Sequence, residues 1–160
     1  MTIQQSATEQ IDQAIRLWRE GYIASAVTLA GAAEGAIPAP PHPDETLFEW
    51  LKAAGVATYN ISEKRVVAHH LNSVRDWLKH GGINTLEVKP LEGGVMLMRA
   101  LTKFYMVYGH DARTDAMRSL ESEIQAEIRK ITEPILGMLS QLTHAISGRS
   151  LDGSNPDQID

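Results

Sequence analysis

The stretch that decides the fold is 60-NISEKRVVAHHLNSVRDWLKHGG-82, from Asn60 to Gly82. Asn60 followed three residues later by Glu63 is a capping-box start, and Gly81-Gly82 offers the left-handed residue that closes a helix. Between them Val67, Leu71, Val74 and Leu78 recur at i, i+4, i+7 and i+11, with Val66 and Trp77 widening the stripe. That spacing predicts one continuous helix over 61–80 with the stripe turned inward. The same segment carries three of the six histidines in the chain and two arginines. They stand in two Arg-x-x-x-x-His pairs, Arg65 with His70 and Arg75 with His80.

Outward from this segment the pattern stays helical. Ser6 with Glu9 is a second capping-box pattern, followed by a face of Ile11, Ile15 and Trp18. The run Tyr22–Ile37 is rich in Ala and Gly, residues that let a neighbouring backbone come close, so this helix belongs at the centre of the packing. Glu34 is the odd charge in it, either an exposed edge carboxylate or the partner of a cation on an adjacent helix. Pro38, Pro40, Pro41 and Pro43 exclude helix over 38–43. Asp44 then reads as the cap of a short helix ending at Gly55, with Leu47, Phe48, Trp50 and Leu51 inward.

Residues 82–94 read as an irregular connection in which 86–91 hints at a short strand. Val95–Tyr108 is apolar on nearly every side, as in a helix buried all round or shared with another chain. In 111–131, Met117, Leu120, Ile124, Ile128 and Ile131 form one stripe opposite charged residues, and Pro134 should break that helix before a last one over 135–146. The expected architecture is all-α, a compact bundle of about six helices near 7–37, 44–54, 61–80, 95–109 and 113–147. The expected organisation is a flexible start over 1–6, a single helical domain over 7–147 and a disordered tail over 148–160.

A chain of 160 residues with 43% hydrophobic and 22% charged residues is long enough for one buried core and too apolar for wholesale disorder. It has no cysteine, which excludes disulfides and thiolate chemistry and fits a reducing cytosol. Met1–Gln10 is polar, without the apolar core of a secretory signal, and no apolar run reaches the ~18 residues of a membrane span. The net charge of −5 confines any contact with nucleic acid to a local surface. The histidines show no His-x3-His pair or ligand-spaced carboxylates, so neither a metal nor a cofactor is expected.

At about 100° per residue, an Arg and a His five apart stand about 140° apart around a helix. A joint site therefore needs the long Arg side chain to reach around, or a second copy of the helix. On this register His70 flanks the stripe as a packed core or interface histidine, and Arg65 lies on the wet side. Arg75 and His80 fall at the two margins.

The run Arg75-Asp76-Trp77-Leu78-Lys79-His80 resembles the signature of the HEPN superfamily, an Arg, a polar residue, three further residues and a His. Asp76 fills the polar slot, whereas Val66 of the first pair does not. The wider pattern, S-A-V-T-L-A-G-A-A-E followed by L-N-S-V-R-D-W-L-K-H, is similar to bacterial and phage-borne HEPN-like proteins over 22–82. The resemblance implies a four-helix core that forms a homodimer through this helix, and RNA or a nucleotide as ligand. In active members it implies metal-independent RNA cleavage in a defence or toxin–antitoxin type system. His80 would be the general acid/base, Arg75 the phosphate binder and Asp76 a supporting residue. The chemistry suits the residue types, since imidazole exchanges protons near neutral pH and guanidinium grips phosphate at two points. Against this stand two plainer readings. The motif residues can be solvated charges and a His at the helix C-terminus, or the chain can be a non-catalytic dimerisation or protein-interaction module.

Overall fold

The computed structural model describes residues 1–81, 85–126 and 129. The chain divides into two units, Met1–Ser122 and Glu123–Asp160. Among the described residues every regular element is helical: α1 (Ile3–Arg19), α2 (Ile23–Ala36), α3 (Leu47–Tyr59), α4 (Glu63–Val66), α5 (Ser73–His80), α6 (Pro90–Tyr108) and α7 (residues 115–126). The expected all-α bundle is what the chain forms. The break at Pro134, the helix over 135–146 and the tail over 148–160 lie outside the described residues.

The first unit is built on α2. Its small residues Ala26, Ala30, Gly31 and Ala33 are buried together with Val27, and α1, α5 and α6 all pack against it. α1 presents Ala7, Ile11, Ala14 and Ile15 to this core. Its cap is Thr2 rather than Ser6. The Thr2 hydroxyl accepts from Gln5 N–H at 3.1 Å, and the Gln5 side chain accepts from Thr2 N–H at 2.7 Å. This reciprocal pair satisfies two of the orphan donors of a helix start, so helix begins within the segment expected to be flexible.

α3 is capped by Thr46, whose hydroxyl accepts from Glu49 N–H at 3.3 Å, not by Asp44. It runs through Gly55 and ends at Asn60, in the left-handed conformation at φ 51° and ψ 44°. Asn60 is thus the stop of α3, not the start of the next helix. Gly55 lies inside the helix because a Cβ there would sit 2.5 Å from Val66 Cγ1. Trp50, expected inward, is 65% exposed. The inward side of α3 follows Leu47, Leu51 and Gly55 at i, i+4 and i+8, and Trp50 sits off that line.

The expected single helix over 61–80 is three pieces: α4, a π-helical turn over Val67–Leu71, and α5. Asn72 N–H bonds back to the Val67 carbonyl at 2.9 Å, and the next regular bond runs from Asp76 N–H to the Asn72 carbonyl at 2.7 Å. The wide turn rotates α5 relative to α4 and breaks the i, i+4, i+7 stripe. Val66 and Val74 are buried, Leu78 is exposed, and His70 is exposed rather than packed in the core.

α6 starts at Pro90, not near 95, and no strand forms over 86–91. Pro has no N–H to lose at a first helical position, and the Glu92 carboxylate accepts from Lys89 N–H at 2.7 Å. Gly93 lets α6 pass close to the corner of α1 and α2, where a Cβ would lie 2.9 Å from both Ile23 Cγ2 and Trp18 Cδ1. Met96, Leu97, Ala100, Leu101 and Phe104 are buried, and no residue of 93–108 is exposed. α7 is capped by Thr114, which accepts from Met117 N–H at 3.2 Å and donates to Asp12 at 2.6 Å. Its Met117 and Leu120 are buried.

One charged pair sits inside this framework. Arg99 of α6, its side chain 2% exposed, meets Glu34 of α2 at 12%. Nε donates to Oε1 at 2.9 Å and Nη2 to Oε2 at 2.8 Å. Nη1 donates to the Leu71 carbonyl at 2.9 Å and to Asn72 Oδ1 at 3.2 Å. The Phe48 ring of α3 lies 4.5 Å from the guanidinium carbon.

Two expectations follow for stability in urea denaturation. Glu34→Gln or Arg99→Met should cost about 3–5 kcal/mol, because each strands a buried partner. The double variant Glu34→Met/Arg99→Met should recover much of the loss. Among the glycines, Gly55→Ala should cost about 1–3 kcal/mol through overpacking against Val66. Gly35→Ala, with open space around the new methyl, should be neutral or stabilising by about 0.5 kcal/mol.

Candidate functional site

α5 begins afresh at Ser73 and is amphipathic over its two turns, and its start fixes where each motif residue points. Val74 goes into the core. Arg75 turns towards α2, where its stem lies against Gly31. A Cβ at residue 31 would be 3.2 Å from Arg75 Cδ, so glycine there makes the room. The Arg75 guanidinium reaches Glu34, with Nη1 at 3.7 Å from Oε2 and the side chain 27% exposed. Its Nε is buried with no hydrogen-bond partner. Asp76 is half-buried and His80 exposed. Among the described residues no hydrogen bond or ion pair joins Asp76 or His80 to Arg75.

Three cavities meet at Arg75. The largest, about 360 Å³, lies among Glu34, Phe48, Asn72, Arg75, Arg99 and Lys103. A second of about 230 Å³ is bordered by Gly31, Leu78 and Lys79. A third, about 150 Å³, is largely apolar and includes Val27, Leu71, Val95 and Met96, with His70 at its edge. Neither Asp76 nor His80 lines any of the three. Of the sequence-expected triad, Arg75 alone reaches a cavity, and His80 stands apart from it as the angular separation requires.

The residues that do converge are Glu34, Arg75, Arg99 and Lys103. Lys103 Nζ donates to the Glu34 backbone carbonyl at 2.7 Å, so its positive charge meets a neutral acceptor. Glu49 also borders the cavity but is tied to Lys52 at 2.5 Å. That hydrogen bond raises the Lys52 pKa; desolvation opposes it, and the charges of Glu49 and Glu63 add to the rise. Sequence reading singled out Glu34 and offered it a cation; the cation is Arg99. Part of the signal was available, since Glu34 is the one charge in α2 and the apolar run 95–108 of α6 holds two cations, Arg99 and Lys103. Asn72 gave no comparable signal, because nothing local distinguishes it from a surface residue.

His70 stacks on Tyr59 with ring centroids 4.4 Å apart and planes at 4°, which accounts for its ordered place on the surface. Among the described residues no group of three or more His, Asp or Glu side chains is placed to hold a metal ion. Nor is any helix among them long and apolar enough to cross a membrane. No protein-family model matches this chain, and no curated protein or solved structure shows significant similarity to it.

The inward Arg75 and outward His80 should separate in a melting series. Arg75→Ala loses a part-buried ion pair and packing on Gly31, and should cost about 1 kcal/mol. His80→Ala should stay within about 0.5 kcal/mol of the wild type.

Proposed function

We propose that the chain is a HEPN-like helical module that self-associates and binds partners without a catalytic site of its own, acting in the cytosol. One observation carries this reading: Arg75 is turned inward onto Gly31 and Glu34 while His80 stands on the solvent side of α5. General acid–base cleavage of RNA asks both groups to reach one phosphate within hydrogen-bond distance, and His80 lines none of the three cavities that Arg75 borders. The all-helical fold and the Arg-Asp-x3-His spacing support the HEPN-like character. The absence of cysteine supports the compartment.

Self-association has a different basis from that expected from the sequence, because the apolar α6 is already covered within the chain. α3 supplies the surface instead. Trp50, Ala53 and Ala57, at i, i+3 and i+7, are all exposed and make an apolar stripe where a surface helix ordinarily carries charge. The second reading, RNA cleavage by paired copies, is favoured by Lys79 and His80 standing together and exposed in the last turn of α5. It requires Arg75 to come from the other copy and to leave Glu34.

Light scattering at high micromolar concentration should give a dimer for the wild type and a monomer for Trp50→Glu; a monomeric wild type would sink self-association. RNA incubated with the protein and a chelator should remain intact. Cleavage leaving 2′,3′-cyclic phosphate ends, and lost by roughly 10²–10⁴-fold in His80→Ala, would overturn the non-catalytic reading in favour of the nuclease.

A further inference from the structure

The largest cavity has a charge that its own walls leave unbalanced. Three cations face it, Arg75, Arg99 and Lys103, together with two carboxylates, Glu34 and Glu49. Glu49 is engaged by Lys52 at 2.5 Å, a lysine it shares with Glu63 at 3.5 Å, and the side chains lining the cavity keep an excess of one positive charge. All three nitrogens of Arg99 are engaged, by Glu34, Leu71 and Asn72. The other two cations are less fully engaged. Lys103 spends its one recorded bond on a neutral carbonyl at 2.7 Å. Arg75 has only the loose 3.7 Å approach to Glu34 and a buried Nε–H without an acceptor. The Arg75 side chain is 27% exposed, so its terminal nitrogens can take a further acceptor from the cavity.

A third source of positive potential points the same way. α3, 13 residues long, opens onto the cavity with Thr46 and Phe48, and its first-turn N–H groups carry the positive end of the helix dipole. Thr46 accepts one hydrogen bond from Glu49 N–H and keeps its own hydroxyl proton to donate. The C-terminal end of α2 would oppose this, but Lys103 already occupies the Glu34 carbonyl there. Pro40, Pro43 and Phe48 make the remaining wall apolar.

We propose that this cavity binds the phosphate group of a small phosphorylated molecule. Arg75 and Lys103 hold the phosphate oxygens, and the proline–phenylalanine wall takes the organic body. Arg99 and Glu34 are the rigid floor and do not exchange partners. A tetrahedral phosphate has enough terminal oxygens to serve the Arg75 guanidinium, the Lys103 ammonium and the Thr46 hydroxyl together, which a planar carboxylate does not. The inference is independent of self-association and of RNA chemistry, since the site is contained within one chain and excludes His80.

The test uses the full-length chain and phenyl phosphate as probe, with inorganic phosphate and phenol as the separated halves. Titration calorimetry gives the affinity, and the ¹⁵N-resolved Nε–H resonance of Arg75 reports on the site. Phenyl phosphate should bind more tightly than inorganic phosphate, phenol should not bind, and the Arg75 Nε–H signal should move on saturation. Lys103→Met and Arg75→Met should each weaken binding about tenfold or more, the loss of one charge-assisted hydrogen bond. Affinity should also fall with added salt. Circular dichroism and thermal melting of Lys103→Met and Arg75→Met beside the wild type guard against variants that merely unfold. No heat and no movement of the Arg75 signal at about 10 mM probe would overturn the proposal. Binding that Lys103→Met and Arg75→Met leave unchanged would overturn it equally. Inorganic phosphate binding as tightly as phenyl phosphate would remove the organic body from the assignment and overturn that part.

Discussion

Burying a guanidinium is costly unless its nitrogens find partners, and the first unit is arranged to meet that demand for all three nitrogens of Arg99. The fork of Nε and Nη2 matches the two oxygens of Glu34, the geometry that makes Arg rather than Lys suited to such a site. The third nitrogen needs acceptors of its own, and it takes them from Leu71 and Asn72. A carbonyl inside a regular helix is already committed to the N–H four residues on, so Leu71 must stand outside the ladder. The π turn before it and the fresh start of α5 after it supply that freedom. The face of the guanidinium is covered by Phe48, which fixes the first turn of α3. Four segments of chain are thus positioned by one side chain.

This chain of dependence explains what could be read in the sequence and what could not. The helical character, the central place of α2 and the burial of α6 follow from residue size and apolar periodicity, which are local properties. The break at Asn72 is not local. The spacing of Val67, Leu71, Val74 and Leu78 is what an unbroken helix would show, and the reason for interrupting it lies in a residue on α6. The glycines misled for a related cause. Gly55 and Gly93 look like punctuation, yet each sits in or near a helix because another element comes within touching distance of its missing Cβ. Close approach is a tertiary fact that composition alone does not locate. Thr2 and Thr46, by contrast, carried readable capping signals that competed with Ser6 and Asp44 nearby.

The candidate site divides in the same way. The spacing of Arg75 and His80 already implied opposite margins of one helix, and the side chains keep to that geometry. What the spacing did not contain was the prior claim on Arg75. Gly31 opens a slot for its stem and Glu34 draws its head, so the side chain that could have reached around the helix is drawn the other way. An ionic core that needs Glu34 for Arg99 therefore also decides the direction of its neighbour. Function at this place depends on how much of Arg75 that claim leaves over, and a loose 3.7 Å contact with an unbonded Nε leaves a good deal.

The π turn at Val67–Leu71 gives the molecule an adjustable joint in evolutionary time. Such a turn holds one residue more than the α-helical path requires, so deleting a single codon there would let α4 and α5 fuse into an ordinary helix. The wide turn takes up that extra residue, so everything beyond the joint would keep its angular place about the helix axis, with Val74 still in the core and Arg75 still on Gly31. Arg99 alone would feel the change, because the Leu71 carbonyl that the joint frees for it would be taken up by the N–H four residues on. The spare residue is thus the means by which one backbone oxygen is released to the ionic core without disturbing the faces of the helices on either side.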